Sequence, residues 1–432
     1  MTIVDKASAF PKSVQAGIPR LGRCPEGWTR EPLARHLVEN LRPVKLSNDA
    51  EYDLVTVKRS RGGVVRREHL KGRDISVKSQ FLLHQGDFLI SKRQIVHGAC
   101  GLVPADLAGS IVSNEYAILG AKPTIDLNFL NHLAHSVYFQ QTCFHSSIGV
   151  HVEKMIFKLD RWLAWDFDLP PIKEQQRIAE VLSTWDSSIE TLEGLIANAR
   201  IQKNALMQQL LPNGDHAPQE RLTGFSGEWA KTQLGSRGSF RKGKGVSRSD
   251  VRAQGIPCVR YGEIYTHHHD VVHTFNSFID EAAAIQSERL RQGDILFACS
   301  GETAEEIGKC VAFTGAHEAY SGGDIVIFSP EQDDPVFLAY MLNSSPVAVQ
   351  KAQFGQGNSV VHISATNLAK LTISLPLKAE QKAIGALFLA ADRGILSLTA
   401  QLASLREEKS ALIQQLLTGK RRVKVDLEGE PC

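Results

Sequence analysis

A segment of 43 residues occurs twice in this chain, and such an internal repeat constrains the possible folds more than composition does. Residues 169–211 align with residues 375–417 without a gap, at an offset of 206, and 17 of the 43 aligned positions are identical. Weaker matches precede each copy, including the tripeptide Gln-Gly-Asp at 85–87 and again at 292–294. The sequence therefore predicts one module used twice, a globular part followed by the repeated segment.

Each copy of the repeated segment is predicted to be a long helix with a heptad seam. Each copy begins at Leu-Pro and ends near a helix breaker, Pro212 in the first and Gly419 in the second. Apolar residues recur in alternating steps of four and three over about five heptads, which is typical of a coiled coil. The predicted seam consists of Ile178, Leu182, Ile189, Leu192, Ile196, Lys203, Leu206 and Leu210 in the first copy, and of Ile384, Phe388, Ile395, Leu398, Leu402, Lys409, Leu412 and Leu416 in the second.

Lys203 and Lys409 occupy the same step of the two seams. A single polar residue in such a seam often fixes the register of the pairing, so both are predicted to do so. The competing interpretation is an ordinary amphipathic helix on a core, with the lysines extending to solvent. Length argues against it, because about 39 helical residues at ~1.5 Å each form a rod of roughly 58 Å.

The fold class predicted from these patterns is mixed α/β (α+β), with two globular domains, two long antiparallel coiled-coil helices and a pseudo-two-fold internal repeat. Short β-like runs alternate with loops and brief helical stretches in both globular segments. The predicted order is a tail (1–24), a first domain (25–168), a central helix (169–212), a linker (213–225), a second domain (226–374), a C-terminal helix (375–419) and a tail (420–432).

Composition narrows the function without identifying it. The start of the chain lacks the pattern of a signal peptide, and no run approaches the roughly 18 apolar residues of a membrane-spanning helix, so a cytoplasmic protein without a membrane partner is expected. Seven scattered cysteines indicate neither a disulfide framework nor a zinc site. A net charge of +2 is too small to indicate a nucleic-acid binder by itself.

Two local stretches are strongly basic, at 58–78 and at 237–252. Glycine-interrupted basic loops suit contact with DNA phosphates, because a flexible backbone lets lysine and arginine reach a charged groove and release counterions. Taken singly, each stretch favours a solvated surface loop, and the presence of one in each module makes DNA contact an equally favoured interpretation. The candidate DNA-binding residues are Arg59, Arg61, Arg66, Arg67, Lys71 and Arg73 in the first stretch and Arg241, Lys242, Lys244 and Arg248 in the second.

The sequence offers no convincing catalytic or metal-binding motif. Residues 238–245 resemble a phosphate-binding loop, but Gly245 replaces the hydroxyl residue that would hold magnesium. The run His267-His268-His269 could bind a metal, yet adjacent residues point in different directions, and a solvated loop is favoured. No catalytic residue, no metal ligand and no cofactor site is predicted for this chain.

With these motifs in order, the chain resembles the specificity subunit (S subunit) of type I restriction-modification enzymes over essentially its whole length. That family alternates target-recognition domains with helices that begin Leu-Pro-x-x-x-Glu-Gln, here 169–175 and 375–381. The Arg-Leu-x-Gly-Phe segment at 221–225, Gly-Glu-Trp at 227–229 and the Leu-Leu-Thr-Gly-Lys ending at 416–420 are also similar. The long tail before Trp28 and the atypical end of the first helix depart from the family pattern.

The resemblance implies a non-catalytic DNA-binding subunit whose two domains each recognise half of an asymmetric bipartite site in double-stranded DNA. It also implies two methyltransferase (M) subunits docked on the helices, motor-nuclease (R) subunits in the full complex, and S-adenosylmethionine, ATP and magnesium used by those partners. Because the helices match more closely than the domains, the shared residues are expected to face identical partners. A coiled-coil assembly adaptor with two protein-binding domains is the main alternative, and an enzyme with a degenerate site is a weaker one.

Overall fold

The computed structural model describes residues 11, 13–214, 216–357 and 360–424. The chain divides into two compact units, and each contains one globular domain with part of both long helices. The first unit comprises residues 1–191 and 402–432, and the second comprises residues 192–401.

The two long helices are Ile172–Leu210, here called the central helix, and Lys378–Leu416, the C-terminal helix. Each has 39 residues and lies within one of the predicted segments, 169–212 and 375–419. All the predicted seam residues are buried or half-buried, whereas most positions between them are exposed. The heptad pattern thus marks the face that each helix turns inward.

The domain of the first unit combines a five-stranded sheet, a four-stranded sheet and two strand pairs with three short helices. The sheet orders are β3-β6-β9-β4-β5 and β2-β10-β7-β8, and the pairs are β1-β13 and β11-β12. The strands are Thr29–Pro32 (β1), Leu37–Glu39 (β2), Pro43–Val44 (β3), Glu51–Val57 (β4), Val64–Lys71 (β5), Gln80–Leu82 (β6), Phe88–Ser91 (β7), Cys100–Leu102 (β8), Ile111–Ser113 (β9), Tyr116–Ala121 (β10), Ser147–Ile148 (β11), Ile156–Phe157 (β12) and Asp166–Leu169 (β13). The helices are Leu127–Leu133 (α1), Val137–His145 (α2) and Leu159–Leu163 (α3), and the central helix is α4.

The domain of the second unit has the same inventory of sheets, and equivalent strands follow the same order, with one edge strand in each domain that the other lacks. Its sheet orders are β15-β24-β20-β22-β17 and β18-β16-β23-β19, and its pairs are β14-β26 and β21-β25. The strands are Ala230–Gln233 (β14), Gly238–Lys242 (β15), Ile256–Val259 (β16), Asp270–Val271 (β17), Ser277–Ile279 (β18), Glu288–Arg289 (β19), Ile295–Ala298 (β20), Ser300–Gly301 (β21), Cys310–Ala312 (β22), Tyr320–Ser321 (β23), Ile325–Pro330 (β24), Val361–His362 (β25) and Thr372–Leu375 (β26). The helices are Tyr261–Thr266 (α5), Glu281–Gln286 (α6), Pro335–Asn343 (α7), Ser345–Phe354 (α8) and Ala365–Ala369 (α9), and the C-terminal helix is α10.

Each domain is closed by pairing its first strand with the strand that leads into the following long helix. In the first unit β1 pairs antiparallel with β13, with Thr29 opposite Leu169. In the second unit β14 pairs in the same way with β26, with Ala230 opposite Leu375. The proline after each of these leucines cannot donate a ladder hydrogen bond, so the strand ends there and the helix begins.

The long helices contribute directly to both domain cores. Ile178 and Leu182 of the central helix and Leu416 of the C-terminal helix belong to the main core of the first unit. Ile384 and Phe388 belong to that of the second. Full burial of such side chains stabilises a fold by about 1.5–3 kcal/mol each. The helices are therefore part of each folded unit.

By length and composition alone, the C-terminal helix could cross a membrane, since one 18-residue stretch has a mean hydropathy of 1.4. Asp392 and Arg393 interrupt this apolar run, so it falls short of the continuous apolar segment typical of a membrane-spanning helix. In the structure Asp392 forms an ion pair with Lys203 of the central helix, and Phe388 is fully buried in the second unit. Only 17% of the stretch is buried, so the helix places one seam in the domain cores and leaves much of its apolar surface exposed.

The described cysteines are free thiols, and Cys432 lies outside the described residues. Burial raises the pKa of Cys100 and of Cys310 to about 12, so both are uncharged and unreactive at neutral pH. Residues 1–10 and 12 of the predicted tail also lie outside the described part of the chain. Beyond them Val14 is buried, and the Ser13 hydroxyl lies 3.0 Å from Nδ1 of His97.

Candidate nucleic-acid interface and helix joints

The first residues of each long helix carry a buried glutamate that is clamped by an arginine from beyond the end of the other helix. Arg422 binds Glu174 through two nitrogens at 2.6 and 2.7 Å. Arg221 binds Glu380 through two nitrogens at 2.5 Å each. Both arginines also donate to a backbone carbonyl just before the first strand of their domain, at Glu26 and Gly227. The two units thus contain the same clamp.

The glutamine after each glutamate fastens the helix to its domain. The Gln175 side-chain oxygen accepts a hydrogen bond from the backbone N–H of Asp126 at 2.9 Å, and Gln381 does the same with Asp334. These aspartates are the N-caps of α1 and α7. Gln175 also donates to the carbonyl of Pro170. The Leu-Pro-x-x-x-Glu-Gln motif is therefore the joint between a domain and its helix.

The seam lysines are paired with aspartates at another repeated position. Lys203 lies 2.7 Å from Asp392, and Lys409 pairs with Asp186. Both lysine side chains are 11% exposed, so they do not extend to solvent. Burial disfavours the charge of Lys203, but Asp270 and Asp392 together raise its pKa. Within each unit, going from the clamp to the lysine–aspartate pair means moving forward along one helix and backward along the other. The two helices therefore pair antiparallel within each unit.

These contacts give four of the identical positions of the repeat a use inside the chain. The residues that bind groups within their own unit are Glu174, Gln175, Asp186 and Lys203, and their counterparts Glu380, Gln381, Asp392 and Lys409. Their identity is explained by how a domain packs on its helices, and a partner surface is not needed. The expectation that the shared residues face partners is corrected for this set.

One neighbour of the aspartate pair differs between the units. The sixth residue after the capping aspartate is Tyr340 in the second unit, and its hydroxyl donates to Asp392. The corresponding residue in the first unit is His132, whose Nδ1 lies 3.9 Å from Asp186. Burial lowers the pKa of His132 to about 4, and Asp186 opposes that shift only partly. His132 is therefore neutral at pH 7.

Acidification is expected to destabilise both units between pH 6.5 and pH 4. Burial lowers the pKa of His132 in the first unit and of His268 in the second to about 4. Below the ordinary histidine value of about 6.5 the unfolded chain takes up a proton that the folded chain excludes, at about 3 kcal/mol per histidine once pH 4 is reached. Urea unfolding across this range measures the loss. His268→Gln should flatten the pH dependence of the second unit and the exposed control His267→Gln should not; equal slopes would contradict the assignment.

The first basic stretch forms a β-hairpin, where a flexible loop was expected. β4 pairs with β5 from Val57 and Val64 outward, and β5 is the edge strand of its sheet. Arg66, Arg67 and Lys71 lie exposed on β5. Four consecutive exposed polar residues, 66–69, interrupt the alternation that usually identifies a strand, so the sequence pattern did not reveal β5.

Most arginines of this stretch have acidic neighbours. Ion pairs at 2.7–3.7 Å join Arg59 to Glu153, Arg66 to Asp53, Arg67 to Glu68 and Arg73 to Asp49. All four arginines are about half-exposed or more, so these pairs are weak and can be exchanged for phosphate contacts. Arg61 differs, because it is partly buried and forms no ion pair within the described residues.

In the second basic stretch, Arg241 has an internal role. It lies on β15 and binds both carboxylate oxygens of the buried Asp294, and also Glu288. Asp294 ends the repeated Gln-Gly-Asp tripeptide, and in the first unit the corresponding Asp87 binds Arg42 at 2.7 and 3.0 Å. The repeated tripeptide was the sequence signal for this pair. Lys242, Lys244 and Arg248 remain exposed.

The two motifs set aside in the sequence have structural explanations. Residues 238–242 of the loop-like run form a strand, so they cannot wrap around a phosphate. A side chain at Gly243 would lie 2.3 Å from the carbonyl oxygen of Gly322, so close packing requires this glycine. His267 and His269 are exposed, but His268 is buried at 3% exposure, which corrects the expectation of a solvated run.

Known proteins share both the sequence and the arrangement of this chain. Residues 227–405 match the model of the type I restriction modification DNA specificity domain. The specificity subunit of the type I restriction enzyme MjaVIII of Methanocaldococcus jannaschii is 26% identical over 288 residues, which are 63% of this chain and 65% of that protein. In sequence, the chain is similar to specificity subunits of type I restriction-modification enzymes. The match spans slightly less than two thirds of that relative's own length.

Solved structures show the family fold. The S subunit of the type I restriction-modification system of M. genitalium is 14% identical with a TM-score of 0.57, and the match covers 93% of this chain and 99% of that one. A chain from a structure that describes complex assembly and conformational transition of the type I system is 17% identical with a TM-score of 0.54, covering 93% and 100%. The mixed α/β class with two domains and long helices is confirmed.

Proposed function

We propose that this chain binds double-stranded DNA as the specificity subunit of a type I restriction-modification complex, with each domain recognising one half of an asymmetric bipartite site. The observation that carries the proposal is that the two units share the contacts between domain and helix but differ in the domains themselves. Both units hold their helices through the same Arg–Glu clamp and the same glutamine joint. Their sheets share the order of equivalent strands, but each domain has an edge strand that the other lacks, β3 in the first and β17 in the second, and their exposed basic residues lie on non-equivalent elements. Two domains of one topology with different surfaces suit two different half-sites.

Exposed cations supply the contacts to phosphates in this proposal. In the first unit these are the residues of the hairpin β4–β5, above all Lys71 and the arginines with exchangeable partners. In the second unit they are Lys242, Lys244 and Arg248. Arg241 supports β15 and does not reach DNA, because Asp294 already neutralises it.

The exposed residues shared by the two helices form the proposed docking surface for two M subunits. Both copies of the repeat expose the same four residues in the second part of the helix. They are Ala197, Arg200, Ala205 and Gln208 in the central helix, and Ala403, Arg406, Ala411 and Gln414 in the C-terminal helix. Exposed apolar residues such as Ile201 and Leu396 add area that a protein partner can bury.

In the proposed complex, this chain carries no chemistry of its own. The M subunits use S-adenosylmethionine to methylate adenine, and R subunits use ATP and magnesium for translocation and cleavage in the cytoplasm. The chain itself binds no cofactor. Among the described residues no group of three or more histidine, cysteine or acidic side chains is placed to hold a metal ion.

A binding experiment with matched partners tests the proposal. The purified chain is combined with the M subunit of its own system, and binding of duplexes from a random library is measured by gel shift and sequencing of the bound fraction. The expected result is enrichment of a split motif with two different halves. A chain that binds the M subunit but selects no sequence would instead be an assembly adaptor.

Replacing Lys242, Lys244 and Arg248 together by glutamine is expected to weaken DNA binding for all sequences alike. Each lost phosphate contact lowers the steepness of the salt dependence by about 0.9, so the slope should fall by up to about 3. The slope is obtained by measuring the affinity at salt concentrations from roughly 50 to 300 mM. The control is Arg289→Gln, an exposed arginine of the same unit. An unchanged slope in the triple variant would remove this loop from the DNA interface.

A further inference from the structure

Arg61 is held in place with no ion-pair partner among the residues that the structure describes. It sits in the turn between β4 and β5 in a left-handed conformation with φ of 59°, and its backbone N–H donates to the carbonyl of Gly98 at 2.8 Å. Its side-chain Nε is buried and makes no hydrogen bond within the described residues. Burial lowers the pKa of Arg61. A charge placed this way at a cost to the fold indicates a ligand that is negatively charged.

Arg61 lines a cavity of about 740 Å³ within the first unit. This volume lies in the range of small-molecule sites. One wall is the start of α2 with its capping Ser136, and the opposite wall is the last part of the C-terminal helix, including Lys409 and Ser410. Ile189 and Ile413 provide apolar surface. The cavity can therefore hold both a charged group and an apolar group.

The charges around this cavity are of one sign. Arg61, Arg406 and Lys409 line it, and its described lining includes no aspartate or glutamate. Lys409 also pairs with Asp186, which lies outside the lining. Burial, then Arg61, then Lys409 lower the pKa of His135 to about 4, so this fourth lining residue is neutral and available for hydrogen bonds. The start of α2 adds the partial positive charge of a helix N-terminus.

The second unit contains the corresponding groove without the charges. Its cavity of about 480 Å³ lies between the start of α8 and the last turns of the central helix. The residues that match His135, Ser136 and Ser410 of the first unit are Asn343, Ser344 and Asn204. Its described lining contains no lysine or arginine. The packing of a domain on its two helices therefore does not by itself require positive charges in this cavity. The charge of Arg61 is specific to the first unit.

We propose that the cavity behind Arg61 is a binding site for a phosphate group, with the guanidinium as its principal ligand. Arginine suits phosphate because its fork of N–H donors matches two phosphate oxygens. Two sources can present this group: a free phosphorylated compound of nucleotide size, or a backbone phosphate of DNA. The free-ligand source is independent of the proposed DNA-binding function.

Calorimetric titration of the purified full-length chain with inorganic pyrophosphate tests the site. The expected result is one binding event per chain, at least about tenfold weaker in Arg61→Gln because a charged hydrogen-bonding partner is lost. The matched control is Arg93→Gln, which changes an exposed arginine of the same unit that is paired with Glu115. Absence of binding to the wild-type chain, or equal binding by Arg61→Gln and Arg93→Gln, would overturn the proposal.

Two further measurements keep the test decisive. If Arg61→Gln fails to fold, crystals of the wild-type chain soaked in tungstate should show anomalous signal beside Arg61, and signal elsewhere only would overturn the site. With a sequence-matched duplex, competition by pyrophosphate and a salt slope lower by about 0.9 in Arg61→Gln would identify DNA as the phosphate source. Pyrophosphate binding without either effect would identify a free phosphorylated compound, whether or not the chain binds DNA as proposed.

Discussion

Replacing Arg221 by alanine is expected to destabilise the second unit by about 3–5 kcal/mol, the usual cost of leaving one member of a buried ion pair unpaired. Glu380 is 2% exposed, so water cannot replace the two hydrogen bonds that Arg221 donates at 2.5 Å. Arg221 also lies 5.8 Å from the centre of the Trp229 ring, at the start of the same domain. The substitution therefore loosens the domain and its helix together.

Hydrogen exchange at the amides of residues 378–392 during urea titration measures the stability of the second unit separately from that of the first. Arg289→Ala, in the same unit, is the exposed control and should change stability by less than about 0.5 kcal/mol. The double variant Arg221→Met with Glu380→Leu should recover much of the loss, because an apolar pair leaves no buried charge. A loss below 1 kcal/mol in Arg221→Ala, on the scale expected for surface pairs, would show that the clamp is dispensable.

Lengthening both long helices by one heptad is expected to lengthen the unread spacer of the DNA site and to preserve both half-sites. Seven residues add about 10.5 Å to a helix, which corresponds to about three base pairs at 3.4 Å each. Insertion after Thr191 and after Gln401, where each helix passes from one unit to the other, keeps every contact within a unit. A whole heptad also keeps the seam on one face.

Methylation mapping of a host that expresses the lengthened chain with its M subunit reports the recognised sequence and its spacing. The matched control inserts four residues at the same points, which turns the seam away from its partner and should abolish methylation. An unchanged spacer in an active heptad variant would reject the helices as the ruler. Altered half-sites would instead show that the helices contribute to base recognition.

The repeat explains why so much of this fold was predictable. A heptad seam is a local pattern, since the spacing of Ile178, Leu182 and their successors states which face of the helix is apolar, and the structure buries that face. Lys203 and Lys409 were recognised as special because they interrupt that pattern. Their partners were not, although Asp186 and Asp392 are identical in the alignment, because these aspartates lie outside the seam and nothing local shows what they contact.

The interface was less predictable, because charge alone does not distinguish one arginine from another. Arg61 and Arg241 belong to similar basic stretches in the sequence. In the folded chain Arg241 is neutralised by Asp294, 53 residues away, whereas Arg61 is half-buried beside a cavity with no carboxylate in its described lining. The repeated Gln-Gly-Asp tripeptide was the only sequence signal for the pairing of Arg241 with Asp294. No signal in the sequence indicated the position of Arg61 beside a cavity.

The sequence by itself determined that one module is used twice, that each copy ends in a helix of about eleven turns, and which face of that helix is buried. These properties depend on residues close together in the chain, so periodicity and identity reveal them. The tertiary structure alone decided which arginine clamps which glutamate, that the basic stretch at 58–78 is a hairpin, and where an unpaired charge remains. Those outcomes depend on which side chains far apart in the sequence come into contact, because that contact determines whether an ion pair forms.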